Sequence, residues 1–237
     1  MRRATIPTLL ALFILVVCLV SIVVIIKGPQ FLESGANASV ESHDIRITNV
    51  TDTSITVSWT TDKPTIGFVR YTRNGQSINT PPSSVALNHF VLIQGLVPSA
   101  SYTVEVNSDG QFADPKQVVT LPSYTPSSKI ISGQILDNKN LPARDVLVYV
   151  GVEGVTKYSA LTGATGNWII SLPEISDTTI LSIFATGMGQ ETRATIDLEN
   201  ANPMPTMVLG RTYDFRNNET KQTSDVPQLE IKLPEQK

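Results

Sequence analysis

Beyond residue 44 the apolar side chains of this chain recur at every second position, in short blocks separated by turn signals. In Ser54-Ile55-Thr56-Val57-Ser58-Trp59, the residues Ile55, Val57 and Trp59 share one face, and Ile45 and Ile47 alternate in the same way just before them. A period of two is the repeat of a half-buried strand, and β-branched residues suit its pleated surface. Further blocks follow at 66–71, weakly at 76–80, and at 89–93, 102–107 and 117–121, with Asn74-Gly75 and Asp109-Gly110 between them. Asn-Gly and Asp-Gly tolerate the positive φ angles that a tight hairpin turn demands. Seven short strands over residues 43–124 predict an antiparallel sandwich. A second series occupies 129–135, 146–150, 156–161, 168–172, 179–185, 192–198 and 206–209, after a Pro/Ser linker at 124–128. The expected fold class is all-β, with two tandem antiparallel β-sandwiches.

The N-terminus has a different composition. Residues 4–26 carry no charge over 23 positions, with Arg2 and Arg3 before them and Lys27 after. As a helix rising about 1.5 Å per residue this run would span roughly 34 Å, enough for a hydrocarbon core of about 30 Å. The larger positive charge at the N-terminal side predicts a single-pass anchor with the N-terminus inside and the remaining chain outside. A cleaved signal peptide has an apolar region of about 7–15 residues with a small-residue site just beyond it. Here the run is longer, and the Ala36-Asn37-Ala38 triplet lies well past Lys27. Leu15-Val16-Val17-Cys18 departs from a lipoprotein signal, because Val17 stands where a small residue is needed. Residues 27–42, with Gly28, Pro29, Ser34 and Gly35, read as a flexible stalk.

Two resemblances follow from particular motifs. Trp59 on its strand, and Gly95-Leu96-Val97-Pro98-Ser99-Ala100-Ser101-Tyr102, resemble the core tryptophan and the Gly-Leu-x-Pro-x-x-x-Tyr element of fibronectin type III domains, over about 43–124. The resemblance implies a sandwich in which Leu96 fills the core and the Tyr102 hydroxyl bonds back to nearby backbone. Gly67 and Tyr71 follow the pattern of bacterial members. Over about 129–210 the motifs Ser132-Gly133-Gln134-Ile135, Leu141-Pro142 through Val148, and Thr162 through Ile169 resemble the carboxypeptidase regulatory-like (transthyretin-like) sandwich. Arg144-Asp145 and Ala164 depart from that family's usual residues. The structural core is assigned to Trp59, Tyr71, Leu96, Tyr102 and Trp168.

Little in the sequence points to catalysis. There are two histidines, His43 and His89, and one cysteine, Cys18, inside the apolar run. No His/Cys/Asp/Glu set has zinc spacing, and no nucleophile elbow, phosphate loop or calcium loop occurs. His89 opens a strand and is expected to pack rather than ligate. Trp168 and Trp59 are expected in cores, not as sugar platforms. Removing Arg2, Arg3 and Lys27 leaves 15 basic against 21 acidic residues, so the part beyond the anchor carries about −6. That balance gives no footprint for nucleic acid. With one cysteine no internal disulfide can form, so each sandwich depends on packing.

Residues 211–237 hold 10 charges in 27 positions and are expected to form a disordered tail. Within it Gln228-Leu229-Glu230-Ile231-Lys232-Leu233 alternates and could add as a strand to a partner's edge, the alternative being a solvated tail. Three Asn-x-Ser/Thr triplets begin at Asn37, Asn49 and Asn218. The expectation is a cell-membrane protein with its bulk outside the cytoplasm, without enzyme site, cofactor or metal. Its sandwiches would bind another surface protein or a cell-wall glycan. The rival expectation is a carbohydrate-binding accessory module of a secreted or wall-associated enzyme system.

Overall fold

Alternation in β2 (Ser54–Thr65) should leave one face in water, yet Thr56 and Ser58 are as buried as Ile55, Val57 and Trp59. The second sandwich covers that outer face. The protein is described by a computed structural model that defines residues 40–216, apart from 124–127, 174 and 177. The apolar run 4–26, most of the stalk, the linker at 124–127 and the tail beyond residue 216 lie outside the described residues. Among the described residues no helix is long and apolar enough to cross a membrane.

The first sandwich contains eight strands where the sequence suggests seven. Strand β1 (Ser42–Thr48) and β5 (Ala86–Gln94) flank β2 in one antiparallel sheet. The opposing sheet pairs β4 (Gln76–Asn79), β3 (Gly67–Arg73) and β6 (Ser101–Ser108), with β7 (Gln111–Phe112) and β8 (Lys116–Val119) both on β6. The register sets Ile55 opposite Ile93 and Trp59 opposite His89. Inward side chains of both sheets, including Ile55, Trp59, Val69, Ile93, Val104 and Val106, form one core. Asn74 and Gly75 both have positive φ, at 50° and 76°, as do Asp109 and Gly110, at 50° and 84°. These are the backbone angles that select Asn-Gly and Asp-Gly for the two hairpin tips.

The second sandwich opposes β11 (Val155–Leu161), β10 (Leu147–Val152), β13 (Ile180–Gly187), β14 (Gln190–Asp197) and β16 (Thr212–Asp214) to β12 (Asn167–Pro173), β9 (Ser128–Leu136) and β15 (Met207–Val208). A single 3-10 turn, Leu198–Asn200, is the helical element among the described residues of this sandwich. Its core includes Ile131, Ile135, Val148, Trp168, Leu172 and Ile196. Strand β10 is buried along its whole length, so it reads as a continuous apolar run rather than an alternating one.

Two expectations need correction here. The second sandwich is not wholly antiparallel: β14 pairs with β16, and β9 with β15, in parallel. After β14 the chain crosses to the opposite sheet as β15 and returns as β16, so neither strand is joined to its partner by a hairpin. The expected disordered tail also begins too early. Residues 212–214 are a strand, Phe215 is 9% exposed, and both Tyr213 and Phe215 pack with the core. This domain therefore runs past residue 210 to Phe215. Both sandwiches belong to one compact unit.

Candidate functional site

The residues assigned to the core by sequence sit as follows. Trp59 is fully buried, stacked on His89 at a centroid distance of 4.6 Å, and its indole N–H donates to Ser108 Oγ at 2.9 Å. Leu96 and Tyr102 are buried, and the Val97 N–H donates to the Tyr102 hydroxyl at 2.9 Å, which makes the tyrosine corner. Tyr71 is half-buried against the same core, 6.3 Å from the Tyr102 ring. Trp168 is buried in the other core, but its indole N–H meets no acceptor. One edge of it borders a hollow of about 550 Å³ lined also by Ser132, Gln134, Met204 and Thr206.

The two histidines lie in different environments. His89 is 1% exposed, with Ser83 Oγ 3.0 Å from Nδ1 and Thr65 Oγ1 3.4 Å from Nε2. Burial pushes its pKa down, against a smaller upward pull from the Ala86 backbone. A neutral ring stacked on Trp59 and bonded to two hydroxyls is a packing element. His43 has a carboxylate neighbour that the sequence did not suggest: Asp62 lies 3.2 Å from Nε2, across the β1–β2 pair, and both are exposed. Both groups stand in water, and the contact is a surface pair between neighbouring strands. No group of three or more His, Cys, Asp or Glu side chains among the described residues could hold a metal ion.

Polar and aromatic contacts concentrate instead at the joint between the sandwiches. Asn49 leaves β1 at φ 49°, and its backbone N–H donates to the Lys157 carbonyl at 2.9 Å. Its side-chain amide then grips the neighbouring peptide from both sides. Oδ1 accepts from the Ser159 N–H at 3.0 Å, and Nδ2 donates to the Ser159 carbonyl at 2.8 Å and to Thr56 Oγ1 at 3.1 Å. This amide does for the open edge of β11 what an adjacent strand would do. Thr48 Oγ1 bonds to Ser159 Oγ beside it.

A second contact joins Ser58 Oγ of β2 and the Tyr149 hydroxyl of β10 at 3.0 Å. Burial raises the Tyr149 pKa, with a partial offset from this bond, so the phenol stays neutral. The Arg46 guanidinium lies 4.5 Å from the Tyr149 ring centroid, Tyr149 stacks on Phe184 at 5.9 Å, and Arg193 caps Phe184 at 4.7 Å. Such cation–π contacts contribute about 0.5–2 kcal/mol each. At the far end Asn88 Nδ2 donates to the Asp145 carbonyl at 2.7 Å.

Beside Asn49 the joint opens into a groove of about 690 Å³. One wall carries Phe90, Leu92 and Leu121 of the first sandwich, and the other carries residues 158–161 and the whole of β12. Leu92, Leu121 and Ile169 are 53%, 41% and 63% exposed, and the lining side chains are uncharged. No local pattern in the sequence marks this joint. Asn49 reads as the start of a modification triplet and Tyr149 as one residue of the strand block 146–150, because their partners lie 110 and 91 positions away.

Comparison with solved structures finds similarity at low identity. The sensor domain of the anti-sigma factor RsgI4 from Pseudobacteroides cellulosolvens is 17% identical, covering 37% of this chain and 100% of that one, with a TM-score of 0.31. A human contactin 1 fn3 domain is 15% identical over 39% of this chain and 85% of its own, with a TM-score of 0.32. The central fibronectin-III array of RIM-binding protein is 16% identical, covering 68% of this chain and 65% of that one, at a TM-score of 0.29. No curated protein matches the chain. The family comparison matches residues 39–120, the stretch that carries Trp59 and the Tyr102 corner, and this part of the chain is a fibronectin type III domain.

Proposed function

We propose that the chain is a non-enzymatic interaction protein, held at the cell membrane by residues 4–26 and presenting its two sandwiches outside the cytoplasm to another surface protein. The second sandwich is read as a carboxypeptidase regulatory-like module on the Ser132-Gly133 and Leu141-Pro142 motifs. The observation that carries the reading is the joint. Asn49, Tyr149 and Asn88 fix two modules as one body and leave an uncharged groove between them with three large apolar side chains in water. Exposed apolar surface rimmed by polar groups is what protein–protein contact sites present.

The test uses the full chain in intact membranes, with a photo-crosslinking residue placed at Leu92 or, as a control, at Ile78 on the far sheet. A discrete protein adduct at Leu92, lost on Ile169→Asp and absent at Ile78, is the expected result. Equal labelling at both positions would remove the groove from the argument. Hydrolysis of a glycan, peptide or phosphate ester by the purified full chain, abolished by His43→Ala, would replace this reading with an enzymatic one. Release from membranes by carbonate, with a mature N-terminus near Ser39, would remove the anchor.

A further inference from the structure

We propose that the groove is occupied in the free protein by the chain's own residues 228–233, added as a strand to the open edge of β12. Among the described residues β12 pairs with β9 alone, so its other edge is open beyond Asn167, whose carbonyl accepts the Gly163 N–H, and Asn167–Pro173 all line the groove. The wall opposite belongs to β5, which pairs with β2 alone. An open edge is a template for one further strand.

The candidate segment lies outside the described residues, and its sequence supplies the fit. Gln228-Leu229-Glu230-Ile231-Lys232-Leu233 places Leu229, Ile231 and Leu233 on one face and the polar residues on the other, between Pro227 and Pro234. Prolines end backbone pairing, so the strand is limited to six residues. At about 3.3 Å per residue it spans roughly 20 Å, against roughly 23 Å for the seven residues of β12. Its apolar face would cover Leu92 and Leu121, and Glu230 and Lys232 would stay in water, clear of lining side chains that carry no charge. The connection also reaches. Residue 216 follows β16, at the edge of the sheet opposite β11. Crossing five strands takes about 19 Å at roughly 4.8 Å per strand. The 11 residues from 217 to 227 extend to as much as about 36 Å.

This inference rests on the groove being an interface, and its test is independent of any outside partner. Amide hydrogen exchange of the full chain in detergent is compared with that of Leu229→Asp/Ile231→Asp, changes that leave both cores untouched. The expected result is at least tenfold faster exchange along β12 in the variant, with β2 and β13 unchanged, and the same β12 protection in the parent at every protein concentration. Equal exchange in the two proteins overturns the proposal. So does β12 protection that appears only as concentration rises, because the strand would then come from a second copy. The partner crosslink at Leu92 is read separately, so either idea can fail alone.

Discussion

Each sandwich is built around one tryptophan that presses on a glycine, and the two pairs differ in what else holds them. A Cβ on Gly67 would lie 2.6 Å from Trp59 Cζ2, and one on Gly133 would lie 3.0 Å from Trp168 Cζ2. Each sandwich also has a tyrosine whose hydroxyl accepts the backbone N–H five residues upstream: Tyr102 from Val97, and Tyr213 from Val208, both at 2.9 Å. The same two devices recur on two topologies. In the first domain Trp59 is fixed by Ser108 and His89. In the second, Met204 packs near Gly133 and the Trp168 N–H is left unpaired. Polar contacts fix one indole in a single orientation, whereas shape alone fixes the other.

Removing either indole tests this most severely. Trp59→Ala and Trp168→Ala should each cost about 3–5 kcal/mol, seen as a lowered denaturant midpoint. Replacement by Phe separates them: Trp59→Phe should cost about 0.5–1.5 kcal/mol more than Trp168→Phe, because one hydrogen bond is lost only at Trp59. Equal costs would show that the Ser108 bond contributes nothing. The glycines come next. Gly67→Ala should cost about 1–3 kcal/mol, since the Trp59 ring and the Asn107 carbonyl cannot move aside. Gly133→Ala should cost less, because the nearest atom belongs to flexible Met204.

Tyr102→Phe and Tyr213→Phe should each cost about 0.5–1.5 kcal/mol, and a clear difference between them would mean that the second corner is not equivalent to the first. The smallest effect is a pH slope. His89 belongs to the first sandwich, and its folded pKa lies below the usual 6.5. The unfolded chain then binds the extra proton first. The stability of the first sandwich should be full above about 6.5 and fall as pH drops from there toward the lower folded value. His89→Gln should abolish that slope in thermal melts taken between pH 7 and pH 5. The second sandwich contains no histidine among its residues and should show no such component.

What the sequence disclosed was what local pattern encodes. Trp59, Leu96 and Tyr102 sit in a motif with short spacing, and Asn74-Gly75 and Asp109-Gly110 declare their turns through the φ angles they accept. The joint was hidden for the opposite reason. Asn49 and Ser159 are 110 positions apart, and Ser58 and Tyr149 are 91 apart. Thr56 and Ser58 sit on what alternation marks as a solvent face, and no period shows that another domain will cover it. Strand β16 was missed because it is three residues long and Arg211, Asp214 and Arg216 give the stretch a charged composition. Its alternation, Thr212-Tyr213-Asp214-Phe215, was visible but short.

The grip of Asn49 also sets an order of events. Its Nδ2 is the atom that an oligosaccharide would be joined to in the Asn49-Val50-Thr51 triplet, and both amide directions are engaged, by Thr56 and by Ser159. Once the second sandwich has docked, transfer to that nitrogen would have to break both of these bonds. In a glycosylating host, sugar could be added without breaking them only during the interval after residues 49–51 emerge and before β11 is made and folded. Chains modified in that interval would lack the Asn49 grip on Ser159 and hold the joint through Ser58, Tyr149 and Asn88, whereas chains that escaped it would keep every contact.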